Sequence, residues 1–355
     1  MRNRTFLTRV LTGAALCALL AGCASVGPRT LDRDQLDYGS SVGNNWKNQM
    51  LANLVRMRFV DMPVFVDVGQ IVSGYSLETQ VSGSLGFGTS LTGGDTQALG
   101  AGGRYTDRPT ITYMPKTGEN FLRSLLTPVE PESLLSLIAA GYSSELLFTW
   151  AVESVNGIHN FSGIGMTSRL PDPAYYEFVK LLMELQSSGA ATFEVRKDEQ
   201  GQSVLFTLSD RTMSGEIRAK RDRLRALLGL DSERNEFRIT YSPFSQTDDI
   251  LALQTRSILQ ILTAMAGFVD VPADKTAQAA RGFQLPPGMS RPFTVRNSPD
   301  KPDNAFAAFR YQDDWYWIDN EDLSSKRVFT LMLFMTTLTN SGGNGPAPVL
   351  TIPTG

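Results

Sequence analysis

The chain has 355 residues, with 33 Lys or Arg against 36 Asp or Glu and a single histidine. The formal net charge of −3 argues against a nucleic-acid-binding protein, because such proteins present a strongly basic surface to phosphate. Both cysteines, Cys17 and Cys23, lie before residue 24, so the rest of the chain has no cysteine pair that could form a disulfide.

The N-terminus has the pattern of a secretory signal. Three arginines precede a mostly apolar run at residues 10–21, which is too short to span a bilayer. The run ends in Leu20-Ala21-Gly22-Cys23. This tetrad resembles the lipobox of bacterial lipoproteins, which implies that residues 1–22 form a lipoprotein signal peptide and that the mature chain begins at Cys23.

The lipobox resemblance also implies an anchor and a location. Cys23 would carry acyl chains such as palmitate, and each buried methylene contributes about 0.8 kcal/mol to membrane binding. Ala24 stands where an aspartate would favour retention in the inner membrane. We therefore expect a protein anchored in the lipid of the cell outer membrane, with its body facing the periplasm. The alternative is an ordinary cleaved signal in which Cys23 is incidental.

Residues 23–43 are rich in Gly, Pro and Ser and predict a flexible tether. An N-terminal α+β region is predicted over 44–157. Its first helix should begin near Asn44 or Asn45 and end before Pro63, with an apolar stripe at helical spacing that contains Trp46, Met50, Leu54 and Met57.

A Gly-rich β-hairpin is predicted at 69–105. Apolar and polar residues alternate from Leu77 to Phe87, a stretch about as long as a membrane-crossing strand. The pattern identifies a candidate membrane or oligomer hairpin with one apolar face that contains Leu77, Val81, Leu85 and Phe87. Because an isolated hairpin is barely stable, we expect it to pair either with the strand predicted at Thr110–Tyr113 or with identical hairpins of other copies.

Further helices are predicted to begin at Pro131 and at Ser143 or Ser144, and the glycines of 157–165 indicate a domain junction. A second α+β domain is predicted over 166–268. Its elements are a helix after Asp172, a hairpin over 193–208, a helix ended by Gly229, a strand at 237–241, and a helix capped by Asp248 or Asp249 that runs through Leu251 to Met265.

Residues 269–303 predict a long irregular connection. A C-terminal ββαβ element is predicted over 304–355, with a hairpin over 306–319, a helix opened by Asp319 and Asp322, and a terminal strand at 349–352. The predicted fold class is therefore α+β, with small sheets covered by helices and a Gly-rich amphipathic β-hairpin in the N-terminal half.

One segment near Pro109 and several near the C-terminus resemble those of a group of bacterial lipoproteins. The resemblance rests on Pro109–Tyr113, Trp317-Ile318-Asp319, Ser325-Lys326-Arg327 and Pro348–Pro353. It supports a surface or envelope role and does not itself imply any particular activity. The only functional residue it carries over is the lipidated Cys23.

Little in the sequence indicates catalysis. His159 is the only histidine and follows Gly157, so it is interpreted as structural rather than catalytic. No P-loop, nucleophile elbow or zinc-protease motif occurs in the sequence. We therefore predict no enzyme, no catalytic residue, no metal site and no cofactor, and an envelope hydrolase is the weakest hypothesis.

The leading functional hypothesis is a structural or assembly component of an envelope complex, with protein partners or further copies of itself and no nucleic acid. The alternative is a lipoprotein that binds glycan or cell wall through Trp315 and Trp317. Strand alternation places these two on one face of the predicted hairpin. Exposed indoles there would stack on sugar rings, whereas buried ones would belong to the core.

The anchor prediction is testable with Cys23→Ala. This variant should lose acylation and be released from the membrane, because residues 10–21 are too short to hold the chain. Metabolic labelling with palmitate measures the acylation directly. A Cys23→Ala protein that still carries label would show that the lipobox interpretation is wrong.

Overall fold

The structure is a computed structural model that describes residues 26–72, 75–86, 96–107, 110–163, 169–198, 201–209, 214–283 and 290–339. The signal peptide, Cys23, Phe87 and the terminal strand predicted at 349–352 lie outside the described residues. The helices are α1 (Val26–Arg58), α2 (Glu119–Leu126), α3 (Pro131–Ala139), α4 (Ser144–Ala151), α5 (Pro173–Ser187), α6 (Gly215–Leu228), α7 (Ile258–Ala266) and α8 (Leu323–Thr339). The strands are β1 (Val66–Val72), β2 (Tyr75–Gly86), β3 (Thr96–Asp107), β4 (Thr110–Pro115), β5 (Val152–Val155), β6 (Ile158–His159), β7 (Ala191–Asp198), β8 (Gly201–Leu208), β9 (Glu236–Tyr241), β10 (Ile250–Thr255), β11 (Arg296–Ser298), β12 (Ala305–Tyr311) and β13 (Asp314–Asp319).

The predicted mixed α and β fold is confirmed, with a six-stranded and a three-stranded sheet packed against helices. The described residues divide into two compact units. One contains α1 up to Asn44 together with Asp67–Met114, and the other contains Asn45–Val66 and the described residues from Pro115 onward.

The six-stranded sheet has the order β6-β5-β10-β9-β8-β7. β10 runs parallel to β9 and antiparallel to β5, with Leu253 opposite Val155. Strands from 152–159 therefore share one sheet with strands from 191–255. β6, which lies in the junction predicted at 157–165, belongs to this sheet. The boundary between the two units therefore does not fall between 44–157 and 166–268.

Amphipathic helices cover this sheet and supply most of its core. α3 packs over β7, β8 and β9, and α4 and α6 both pack against α5. The predicted helix after Asp172 is confirmed as α5, with Pro173 in its first turn. Gly229 ends α6 in the left-handed conformation at φ 64°, as predicted. The fully buried aromatic residues in this core are Phe148, Trp150, Tyr175, Phe178, Phe206 and Phe237.

Residues 26–43 are helical and belong to α1. The flexible tether predicted at 23–43 is therefore wrong for the part of that range that the structure describes. Pro28 lies in the first turn of α1, where a missing N–H costs no helical hydrogen bond. Gly39 and Gly43 lower helix propensity without preventing the helix. At the other end, Asn53 donates to Val64 O at 2.9 Å and accepts from Val64 N at 2.8 Å, which fixes the chain reversal after Arg58.

The helix predicted from Asp248 or Asp249 is wrong over its first part. Ile250–Thr255 forms the strand β10, and the helix begins only at Ile258, where Ser257 and Gln260 make a reciprocal capping box. β10 lies between β5 and β9 and is apolar on both faces. Such a strand reads as a continuous apolar run, which periodicity alone does not separate from a buried helix.

The C-terminal part forms the three-stranded sheet β11-β13-β12 with α8 packed on β13. The predicted hairpin over 306–319 is confirmed, and Asp322 caps α8 by accepting from Ser325 N at 3.0 Å. The connection predicted at 269–303 contains a 3₁₀ turn at Ala273–Gln278 and contributes β11. Within the described ranges no helix combines the length and apolar character that crossing a membrane requires.

The junction of α4 with β5 is held by buried side chains. α4 passes into β5 without a loop, so its last four carbonyl groups have no helical donors. Asn160 Nδ2 donates to Thr149 O at 2.8 Å, and Tyr175 Oη donates to Phe148 O at 2.7 Å. Arg256 Nη1 donates to Trp150 O at 3.1 Å, and the Arg256 backbone N–H donates to Ala151 O at 2.8 Å. All four carbonyl groups are therefore satisfied.

Arg256 is also an ion-pair partner inside the core. Its side chain is 1% exposed, and its Nε lies 2.8 Å from Glu153 Oε2. Its guanidinium additionally donates to Phe161 O and lies over the ring of Phe161, 4.9 Å from the centroid. The charge of Arg256 is therefore balanced by a carboxylate and by the backbone dipoles around it.

Arg256→Met should destabilise the fold strongly, by about 3–5 kcal/mol, because it leaves the Glu153 carboxylate and the carbonyl groups of Trp150 and Phe161 without their donor. Urea denaturation measures the free energy of unfolding. Arg223→Met is the matched control, since the Arg223–Glu177 pair is solvent-exposed and its loss should leave the midpoint nearly unchanged. Equal midpoints for the two variants would contradict a structural role for the Arg256 network.

Candidate functional sites

The Gly-rich hairpin is present as a long antiparallel ladder. Tyr75 lies opposite Asp107 and Gly86 opposite Thr96, with all twelve residues of β2 paired in an unbroken register. At about 3.3 Å per residue the ladder is about 40 Å long. Gly100, Gly102 and Gly103 of β3 lie opposite Ser82, Gln80 and Thr79 of β2.

Among the described strands, β2 and β3 pair only with each other, and β4 pairs with β1. β1 contains residues 69–72 of the range predicted as the hairpin, so this part of it pairs with the strand that contains Thr110–Tyr113. Residues 73–74 and 108–109, between the two ladders, lie outside the described residues. The outer edge of each strand is a row of backbone N–H and C=O groups with no third strand against it in the described part of the protein.

The register also fixes which residues of the hairpin face the same way. Leu77, Val81 and Leu85 occupy every second pair of one face, opposite Tyr105, Ala101 and Gln97. The predicted fourth member of this face, Phe87, lies outside the described residues. Thr79 and Gly83 lie between them on the same face, and the other face contains Ser76, Glu78, Gln80, Ser82 and Ser84.

Trp315 and Trp317 share one face of β13, as their alternation predicts, and this face points away from the core. Tyr316 and Ile318, which point the opposite way, are fully buried. Both tryptophans are half-buried, so they belong to the sheet surface rather than to the core. On the neighbouring strand β11, Arg296 is opposite Trp317.

Cations lie over both indoles. The Arg296 guanidinium is 5.4 Å from the ring centroid of Trp317, and Lys301 Nζ is 5.6 Å from that of Trp315. Arg310, opposite Trp315 on β12, adds a third positive charge to this face. A neutral sugar would have to displace these cations to stack on the rings, whereas an anionic polymer would pair with them.

The sequence did not reveal these cation partners. Arg296 belongs to a strand of only three residues, which is too short for alternation to be recognised, and Lys301 follows it in an irregular segment. The only signal was their position in the proline-rich connection predicted at 269–303.

His159 is in the short strand β6, opposite Ser154, rather than in a loop. Its backbone N–H donates to Asp172 Oδ2 at 2.8 Å, and its Nδ1 lies 3.7 Å from the same oxygen. These contacts tie β6 to the start of α5. In the regions that the structure describes, no three His, Cys, Asp or Glu side chains cluster so as to hold a metal ion.

An open apolar depression adjoins α2. Leu122 and Leu126, one turn apart, are more than half exposed and line it together with Pro128. Soluble surfaces seldom expose adjacent leucines of one helix unless they contact a partner. This helix face is therefore a candidate interaction surface.

The sequence matches no known protein-family model, no characterised protein and no solved structure.

Proposed function

We propose that this protein is a non-enzymatic component of a bacterial envelope assembly, anchored in the outer membrane through an acylated Cys23. In this proposal copies of the chain associate through the hairpin formed by β2 and β3. The observation that carries the proposal is that neither strand of this twelve-residue ladder has a third strand against its outer edge among the described strands.

An unpartnered ladder of this length requires stabilisation from elsewhere. Isolated two-stranded hairpins are marginal in water, and exposed strand edges are templates for pairing with another chain. The edges of β2 and β3 carry few charges and no proline that would block such pairing. A second copy supplies an identical edge, so pairing between copies satisfies both.

The hairpin also has an amphipathic pattern that suits association. Leu77, Val81 and Leu85 share one face of the ladder, and Glu78 and Gln80 lie on the other. Glycines opposite polar residues leave one strand with small side chains, which permits close approach. The exposed leucines of α2 supply a further apolar contact.

Replacing Ser76–Arg104 by a short Gly-Ser linker should abolish assembly while leaving a folded, lipidated monomer. Analytical ultracentrifugation in mild detergent gives the assembly state, and thermal unfolding shows that the rest of the chain still folds. Wild-type protein that sediments as a monomer at micromolar concentration would contradict the assembly proposal.

Two point variants separate the faces of the hairpin. Val81→Lys should weaken association about tenfold or more, because an unpaired charge enters the apolar face. Gln80→Lys adds the same charge to the polar face and should associate like wild type. Equal effects of the two variants would contradict the predicted face.

A second candidate function is supported by the outward position of Trp315 and Trp317. We propose that this face binds an anionic glycan, with the indoles contacting sugar rings and Arg296 and Lys301 pairing with acid groups. The cation positions over the rings favour an acidic polymer over a neutral one.

The glycan proposal predicts that polygalacturonate binds and dextran does not. Trp317→Ala and Arg296→Gln should each weaken polygalacturonate binding about tenfold, the loss typical of a central interface anchor. Trp46→Ala is the control, because Trp46 is a partly exposed tryptophan outside this sheet. Affinity electrophoresis in gels containing each polymer measures the retardation. Equal retardation in both polymers would refute the selectivity.

A further inference from the structure

A cavity of about 440 Å³ lies where the end of α1 meets the segments on either side of the 3₁₀ turn. Its lining includes three arginines, Arg58, Arg281 and Arg291, and one carboxylate, Asp270. The cavity is thus locally basic although the whole chain carries a net charge of −3. Its volume is in the range of small-molecule sites and exceeds that of a single water many times.

One of these arginines already has an internal counter-charge. Arg291 Nη1 lies 2.7 Å from Asp270 Oδ1, and Arg291 Nη2 donates to Phe268 O at 2.7 Å. The single carboxylate of the cavity is therefore committed to Arg291.

Arg58 has no such partner in the described part of the chain. Its Nε and Nη1 are buried and make no hydrogen bond there, and no described carboxylate lies within 4.0 Å of it. Burial lowers the pKa of Arg58, with Asp270 opposing this shift and Arg291 adding to it. Arg58 as a whole is half-buried, and each buried donor without an acceptor costs about 1–3 kcal/mol, so the site gains from an anion that reaches it.

The segment between Ala280 and Phe283 lies close to the Arg58 guanidinium. Ala280 N donates to Arg58 O at 2.8 Å, and Phe283 N donates to Gly267 O at 3.2 Å, which holds the segment between them across Arg58. A Cβ atom at Gly282 would lie 2.6 Å from Arg58 Nη2 and 2.7 Å from the backbone oxygen of Gly267. A larger residue at 282 would therefore displace the segment or the Arg58 side chain.

Contrast with Arg256 shows what is missing at Arg58. Both cations belong to the same unit, but Arg256 is fully buried and is matched by Glu153 and by backbone carbonyl groups, whereas Arg58 is half-buried. We propose that the cavity at Arg58 binds a small anionic ligand through a phosphate or carboxylate group, which takes the place of the missing counter-charge. Arg291 and the cavity wall then contact the rest of the ligand.

The test is isothermal titration of full-length protein in a neutral detergent with inorganic phosphate, citrate or short-chain phosphatidylglycerol. At least one of these should bind saturably with one site per chain. Binding of phosphatidylglycerol alone identifies a lipid headgroup as the source of the anion, and binding of phosphate or citrate identifies a free anion. Absence of binding by all three overturns the proposal.

Three variants tie the binding to this cavity. Arg58→Gln should weaken it about tenfold or more, as expected for loss of a charge-assisted hydrogen bond. Arg223→Gln removes the same charge from an exposed residue outside the cavity and should bind like wild type. Asp270→Asn should tighten binding about threefold or more, because Arg291 loses its internal counter-charge.

Asp270→Asn keeps the proposal falsifiable if Arg58→Gln does not fold. A purely structural role for the arginines predicts weaker or unchanged anion binding in Asp270→Asn. That result, or an equal loss of affinity in Arg58→Gln and Arg223→Gln, would overturn the site.

Discussion

The fold of the larger unit depends on satisfying the buried carbonyl end of α4. Because α4 continues directly into β5, its last turn cannot be exposed to water, and each unpaired carbonyl there would cost about 1–3 kcal/mol. The donors come from three distant segments, as Asn160, Tyr175 and Arg256 lie on or beside β6, α5 and α7. One helix end thus fixes the relative positions of the sheet and the helices that cover it. The surrounding aromatic core packs around a junction that is already set by these hydrogen bonds.

The same requirement explains which parts of the structure could be predicted from sequence. The hairpin over 193–208, the helix ended by Gly229 and the strands around Trp315 follow from local signals: alternation, a left-handed glycine and turn residues. Arg256 gave no signal, because its role depends on segments about a hundred residues away in sequence. β10 was misread because a strand buried on both faces has no alternation to recognise.

The candidate sites were predictable to different degrees for the same reason. Alternation gave the face shared by Trp315 and Trp317 but not the cations above them, since those depend on the pairing of β11 with β13. Likewise, Leu77 and Val81 were assigned to one face of a hairpin, whereas the neighbour of that hairpin was left open. Sequence periodicity specifies direction relative to a sheet, and only tertiary pairing specifies what lies beside it.

Two features of the described residues have polar groups without a partner among those residues. The edges of β2 and β3 present backbone groups with no third strand among those described, and Arg58 presents buried donors with no described acceptor. Elsewhere in the larger unit, the α4 carbonyl groups and the Arg256–Glu153 pair have their partners within the chain. Polar groups that lack a partner within the chain are typical of functional sites, because an external partner supplies the missing group. The hairpin requires another strand and Arg58 requires an anion, so the two features point to two chemically different partners.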